Sequence, residues 1–215
     1  MHPLEVDIAR YIAVWSTSPI AKLGASAPWT LTAKSELLVR DLLLALPTGE
    51  YSISREIAVH STAIVEPGAV LKGPLILGPR CFVASGAYLR GGNWVAADCI
   101  FGPGAELKSS FVFSGTKLAH FNFVGDSILG EGVNLEAGSI ICNYRNERGD
   151  KEILVRVRGE LRGTGEPKFG ALVGDYCRIG ANAVVAPGAL LDPSTVVRRT
   201  QLFDQEPGPE KDGAK

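Results

Sequence analysis

Residues 59–90 read VHSTAIVEPGAVLKGPLILGPRCFVASGAYLR, and every sixth residue is large and apolar: Val59, Val65, Leu71, Leu77, Val83 and Leu89. The series runs on through Val95, Phe101, Leu107 and Phe113. With 46% of the chain hydrophobic, ten hits in one phase have a chance of roughly 1 in 2000, too small for accident. A second ladder of the same period holds Val173, Ile179, Val185, Leu191, Val197 and Phe203.

Side chains alternate along a strand with period two, and six is even, so every ladder residue faces the same way. The residue two places earlier faces inward as well, and there stand Ala63, Ala69, Cys81, Ala87, Cys99 and Ala105, all small. Large against small fills a narrow tube at close packing. Turn formers separate the strands: Glu66-Pro67-Gly68, Gly78-Pro79 and Gly102-Pro103-Gly104. Three units of six make a coil of 18 residues, and coils stack at about 4.8 Å. The pattern predicts an all-β parallel β-helix over 57–203. Cys81 then lies over Cys99 as stacked apolar filler.

Outside the ladders the pattern changes. In 1–56, Leu4, Ile8, Tyr11, Ile12 and Trp15 have helical spacing, and a second helix is expected from about Ala33 to Leu46, stopped by Pro47-Thr48-Gly49. A β-helix ends in unpaired backbone, so this segment is expected to be a small helical N-terminal cap over that end. A polar break, 145–167, separates the ladders. Its Glu152-Ile153-Leu154-Val155-Arg156-Val157-Arg158 alternates like a strand, so an inserted hairpin or loop projecting from the tube is expected. The tail 204–215 is rich in Gly, Pro and charge, and reads as disordered.

The bulk properties exclude several classes. The formal net charge of the 215 residues is -1, which gives no electrostatic reason to bind nucleic acid. The most apolar run, Leu42 to Leu46, is too short to span a membrane, and no basic segment precedes an apolar one at the start, so no signal peptide is expected. The four Cys have no CxxC spacing and there are three His, so no metal is expected and the compartment reads as a reducing cytoplasm.

Two outward residues stand out by spacing. Arg90 and Lys108 each follow a ladder residue and are 18 apart, so they stack on adjacent coils about 5 Å apart. Like charges at that distance repel by about 1–3 kcal/mol. They either splay into water or form a prepared phosphate site. His60 reads as a solvated surface residue. His120 lies just past the end of the first ladder, and a neutral imidazole suits a general base.

The run AHFNFVGDSILGEGVNLEAGSIICNY, Ala119 to Tyr144, resembles the acetyltransferase domain of the bacterial bifunctional glucosamine-1-phosphate acetyltransferase/N-acetylglucosamine-1-phosphate uridylyltransferase, and that of archaeal sugar-1-phosphate nucleotidylyltransferases. The similarity extends from about Gly86 to about 190. It implies a left-handed coil, a homotrimer, and acetyl-CoA as acyl donor. It makes His120 the base that deprotonates the acceptor amine. It implies substrate binding by Arg90, Glu106, Lys108, Asn134, Asn143, Tyr144 and Lys168, the last reaching a phosphate in the neighbouring subunit, and cofactor binding at Ala137 and Ala181. Phe123 stands where the family has a phosphate-binding Tyr, and Ala181 replaces a Ser facing CoA.

The resemblance therefore implies an N-acyltransferase acting on an amino sugar phosphate or nucleotide-linked amino sugar. The alternatives are a non-catalytic trimeric β-helix that binds a sugar nucleotide or partner, and an O-acyltransferase or one using a longer acyl chain on a carrier protein. A carbonic anhydrase needs three metal-binding His at one interface, and His2 and His60 are badly placed to join His120.

Overall fold

The computed structural model describes residues 6–24 and 26–206. Leu4, His2 and the tail from 207 onward lie outside them. Three parallel sheets enclose one apolar core. Sheet I runs through Ile57–His60, Leu75–Leu77, Asn93–Val95, Phe111–Val112, Ile128–Leu129, Ala171–Val173 and Ala189–Leu191. Sheet II holds Ile64–Val65, Phe82–Val83, Ile100–Phe101, Lys117–Leu118, Asn134–Leu135, Arg178–Ile179 and Val196–Val197. Sheet III holds Val70–Leu71, Tyr88–Arg90, Glu106–Lys108, Phe123–Gly125, Ile140–Ile141, Val184–Val185 and Leu202–Phe203. The chain visits I, II and III in turn, and each visit pairs with the one before.

The core is the ladder with its small partners. Leu77, Val83, Leu89, Val95, Phe101 and Leu107 are buried with Cys81, Ala87, Cys99 and Ala105. Each large member contributes about 1.5–3 kcal/mol on burial. Cys81 and Cys99 are both free and buried, one coil apart.

One ladder position is corrected. The step after Leu107 is five residues, not six: Val112 pairs with Val95 and is buried in the tube. Phe113 instead points out of the tube, with ring centroids 5.3 Å from Trp94 and 6.0 Å from Trp15. The ladder continues as Leu118, Val124, Leu129, Leu135 and Ile141, with a second five-residue step between Val124 and Leu129. It therefore runs past His120. Both short steps, and the insertion after Ile141, fall at the corner from sheet III to sheet I.

Side chains repair the backbone there. The Ser110 N–H donates to Asn93 Oδ1 at 2.9 Å, that of Ser127 to Ser110 Oγ at 3.1 Å, and that of Ala171 to Ser127 Oγ at 3.1 Å. In return Asn93 Nδ2, Ser110 Oγ and Ser127 Oγ donate to the carbonyls of Arg90, Lys108 and Gly125. All three residues are fully buried, where an unpaired polar group costs about 1–3 kcal/mol.

The N-terminal segment does not sit over the end of the tube. Ile8, Ile12, Ile20, Trp29, Leu31, Val39 and Leu42 pack along the outside of sheet I, against Ile76, Phe111, Ile128 and Leu172. Those outward residues are large and apolar, so sheet I needs a cover along its length, and burying it outweighs capping an edge. Only the strand Tyr51–Ser54, antiparallel to Ile57–His60, covers the first coil's edge in this sheet. Asp175 fastens the segment: its N–H donates to Tyr11 O, and its Oδ2 accepts from the Ala13 N–H, both at 2.9 Å. The first expected helix is two 3-10 turns, Ile8–Arg10 and Trp15–Thr17, and the second region forms helices Pro28–Ala33 and Ser35–Leu44. His60 is not solvated either, since it packs edge-on against Tyr51 at 5.0 Å.

The insertion is a hairpin, Leu154–Val157 with Glu160–Gly163, but it lies against the tube rather than projecting. Ile153 and Val155 are fully buried in the outer cluster with Leu190. The start of the tail is also ordered. Arg145 Nη2 donates to Asp204 Oδ1 at 2.6 Å, Arg156 Nε to the Gln205 carbonyl at 2.9 Å, and Gln205 bonds both ways to the Leu190 backbone. Burial alone would raise the Asp204 carboxyl, but the Arg145 guanidinium outweighs it and holds the group below its ordinary range.

Candidate functional site

Sheet III carries the expected cation pair. Leu107 pairs with Leu89, so Lys108 lies beside Arg90 one coil on. Neither charge is left open. Arg90 Nε donates to Glu106 Oε1 at 2.7 Å, and Lys108 Nζ reaches both Asp126 oxygens at 3.0 and 2.8 Å. Asn143 Nδ2 also donates to Asp126 Oδ2. Repulsion between the stacked cations is thus relieved within the chain, and two networks, Arg90–Glu106 and Lys108–Asp126–Asn143, lie side by side as one strip. Asp126 was not anticipated: the coil here is 17 residues long, so Lys108 pairs with Gly125 and Asp126 lies one residue beyond.

The corner from sheet II to sheet III carries His120. Here the coils stay in strict register, and the backbone records a column. The Gly138 N–H donates to His120 O, that of Asn182 to Ala137 O, and that of Thr200 to Ala181 O. His120, Ala137, Ala181 and Arg199 therefore stand one above another on four successive coils. His120 is exposed, and its ring makes no hydrogen bond among the described residues. Beside it Phe121 has φ 52°, a left-handed slot that glycine fills at Gly104 and Gly138 in the same column. A bulky residue there costs about 1–2 kcal/mol. The Phe121 ring lies over Gly104, where an added Cβ would meet its Cδ1 at 2.5 Å, and is otherwise 73% exposed beside His120.

Sheet II bears Asn134 between Lys117 and Arg178. It opens onto a groove of about 540 Å³ lined by Asn134, Glu136, Arg178, Arg198 and Arg199 among others. Glu136 and Arg199 form a two-pronged pair at 2.8 Å each, and Glu136 Oε2 also accepts the Ala181 N–H at 2.8 Å. The Arg199 bond, then that amide, hold the Glu136 carboxyl below its usual range. No local pattern pairs Arg199 with Glu136, 63 residues away; only closure of the coil brings them together.

Tyr144 and Lys168 stand outside both clusters. Tyr144 is exposed with Lys151 Nζ 5.1 Å from its ring centroid, and Lys168 is exposed with no ion pair among the described residues. The Phe169 N–H donates to Asn143 O at 3.2 Å, which keeps Lys168 next to the strip. Among the described residues no cluster of three or more His, Cys, Asp or Glu could hold a metal ion, and no helix is long and apolar enough to cross a membrane.

No protein-family model matches the chain. It is 29% identical over 204 residues to the bifunctional sugar-1-phosphate nucleotidylyltransferase/acetyltransferase of Sulfurisphaera tokodaii, covering 90% of this chain and 49% of that protein. It is 35% identical over 130 residues to the bifunctional protein GlmU of Leifsonia xyli, covering 58% of this chain and 23% of that one. The chain is a hexapeptide-repeat β-helix, similar over most of its length to these bifunctional proteins. This β-helix spans about half the length of the first curated relatives it matches. Among solved structures it aligns with a mutant of perosamine N-acetyltransferase from Caulobacter crescentus, solved with CoA and GDP-perosamine. The identity is 13% and the TM-score 0.31, over 81% of this chain and 71% of that one, a likeness too slight to speak to chemistry.

Proposed function

We propose that the chain is an N-acyltransferase that moves an acetyl group from acetyl-CoA to the amine of an amino sugar phosphate or nucleotide-linked amino sugar. The observation that carries this is the corner column: an exposed His120 ring with free nitrogens, followed by the small Ala137 and Ala181. A pantetheine-like arm can lie along such a column and bring its thioester to the imidazole. Arg90 and Lys108 on the adjoining sheet offer N–H donors to the acceptor's phosphate, with Glu106 and Asp126 offsetting their charge. Phe123, three residues after His120, pairs in register with Glu106, which ties the corner to the strip.

In the proposed reaction His120 takes a proton from the acceptor amine as its nitrogen attacks the thioester carbonyl. The new C–N bond forms, the C–S bond breaks, and the CoA sulfur leaves as a thiol, with the proton returned through the imidazole. A backbone N–H steadies the oxyanion. Asn134, Asn143 and Tyr144 position the sugar, Glu106 orients Arg90, and Lys168 reaches the phosphate from a neighbouring subunit. A homotrimer fits the exposed surface. Sheet I is covered by the N-terminal segment, whereas sheets II and III expose Ile64, Val196, Val70 and Leu202. The relatives named as acetyltransferases support the reading, and the compartment consistent with acetyl-CoA is the cytoplasm.

The test is thiol release from acetyl-CoA, with glucosamine 1-phosphate or UDP-linked amino sugars as acceptor and product mass as the second readout. Acceptor-dependent release is expected. Tight sugar-nucleotide binding without release would favour a non-catalytic binding role instead, which the missing hydroxyl at Phe123 favours.

A further inference from the structure

The cation column on sheet III has a third member. Leu71 pairs with Leu89, and the Lys72 N–H donates to Leu89 O at 2.8 Å, so Lys72 stands one coil before Arg90. Lys72, Arg90 and Lys108 therefore line up over two coil steps, roughly 10 Å by strand spacing. Their surroundings differ. Glu106 offsets Arg90 and Asp126 offsets Lys108, so the lower pair with its carboxylates carries no net charge. Lys72 is exposed and has no carboxylate within ion-pair distance among the described residues. Its ammonium instead lies 5.3 Å from the centroid of the Tyr88 ring, which the Arg90 guanidinium approaches to 5.9 Å. An exposed cation–π contact contributes only about 0.5–1 kcal/mol, so it steers Lys72 over the column without quenching its charge.

We infer that Lys72, held by Tyr88, is the subsite for a second phosphate, so that the preferred acceptor is a nucleoside diphosphate-linked amino sugar rather than a sugar monophosphate. This rests on the acyltransferase reading for the sugar end of the ligand. One phosphate bridges a single step of the column, from Arg90 to Lys108, and leaves Lys72 idle. A diphosphate spans the further step, and the only uncompensated positive charge in the column lies where its distal phosphate falls. Tyr88 acts as a positioning residue that keeps the ammonium from dispersing into water.

The test is calorimetric titration of the full chain with glucosamine 1-phosphate and with UDP-glucosamine, with UMP and UDP as controls, for wild type, Lys72→Met and Lys72→Arg. Wild type is expected to bind the diphosphate ligand roughly tenfold more tightly, as one charge-assisted contact warrants. Lys72→Met should bring that ratio toward one, and Lys72→Arg should keep it. Equal affinities in wild type, or a ratio unchanged in Lys72→Met, overturn the inference. Thiol release with the same ligands separates the two claims. A diphosphate preference without acyl transfer sinks the catalytic reading and leaves the subsite standing. Acyl transfer with no such preference sinks the subsite alone, and binding of neither ligand sinks both.

Discussion

Two corners of one tube behave differently. At the corner from sheet II to sheet III every coil turns with the same six-residue step, and His120, Ala137, Ala181 and Arg199 stack in register through backbone hydrogen bonds. At the corner from sheet III to sheet I the step is six, then five, then an insertion. There Asn93, Ser110 and Ser127 supply the hydrogen bonds that a shortened backbone lacks. The regular corner exposes an unpaired imidazole to solvent. The irregular one buries its polar groups and ties together Lys108, Asp126, Asn143 and the insertion. A repeating coil thus keeps one corner uniform, and puts its length changes where side chains can absorb them.

The comparison breaks first at His120. Its replacement by Ala should lower turnover by about 10²–10⁴-fold, since a positioned general base contributes that much, while leaving CoA binding in place. Wild-type-like thiol release in that variant would remove the chemistry from the regular corner.

The irregular corner should respond in stability instead. Asp204→Asn leaves the buried Arg145 with weaker partners, Glu206 at 3.2 Å and Glu147 at 3.3 Å, and should cost about 2–3 kcal/mol in urea unfolding. The sign with pH follows from the lowered folded pKa of Asp204. Its contribution is fully present above the unfolded value of about 3.9 and is lost as pH falls through the lower folded value. Asn at this position should remove that part of the acid dependence. An unchanged acid profile would show that the tail's contact with the insertion contributes nothing.

Ser110→Ala is expected to cost about 1–2 kcal/mol, because the buried N–H of Ser127 loses its partner, while the carbonyl of Lys108 keeps the Asp126 N–H. A neutral effect would mean that the corner does not need its polar ladder. The smallest effect belongs to Phe121→Gly. Release of the left-handed strain, less the entropy cost of glycine, should raise stability by about 0.5 kcal/mol. A loss would show that the ring's cover over Gly104 outweighs the strain.

What could be read from the chain follows the same division. The six-residue period located the core from Val59 to Leu107 and set Lys108 beside Arg90, because register in a uniform coil is simple addition. It failed at Phe113, where a missing residue shifted the ladder by one, and a second missing residue shifted it again at Leu129. It also left Asp126 unread, because the shortened coil pairs Lys108 with Gly125 and puts Asp126 one residue beyond. The N-terminal segment was expected at the tube's end because an open edge is a generic liability. The outward Ile76, Phe111, Ile128 and Leu172 draw it along sheet I instead.

By itself the sequence determined the all-β coil, the identity of its inward residues and the stacking of its cations, since each depends on local alternation and a fixed count. The Asp126 carboxylate that offsets Lys108, the Glu136–Arg199 pair and the contact of Asp204 with Arg145 came only from the tertiary structure. Each joins residues whose separation passes through a shortened step, an insertion or several coils. No local period encodes such a distance, and only closure of the coil sets it.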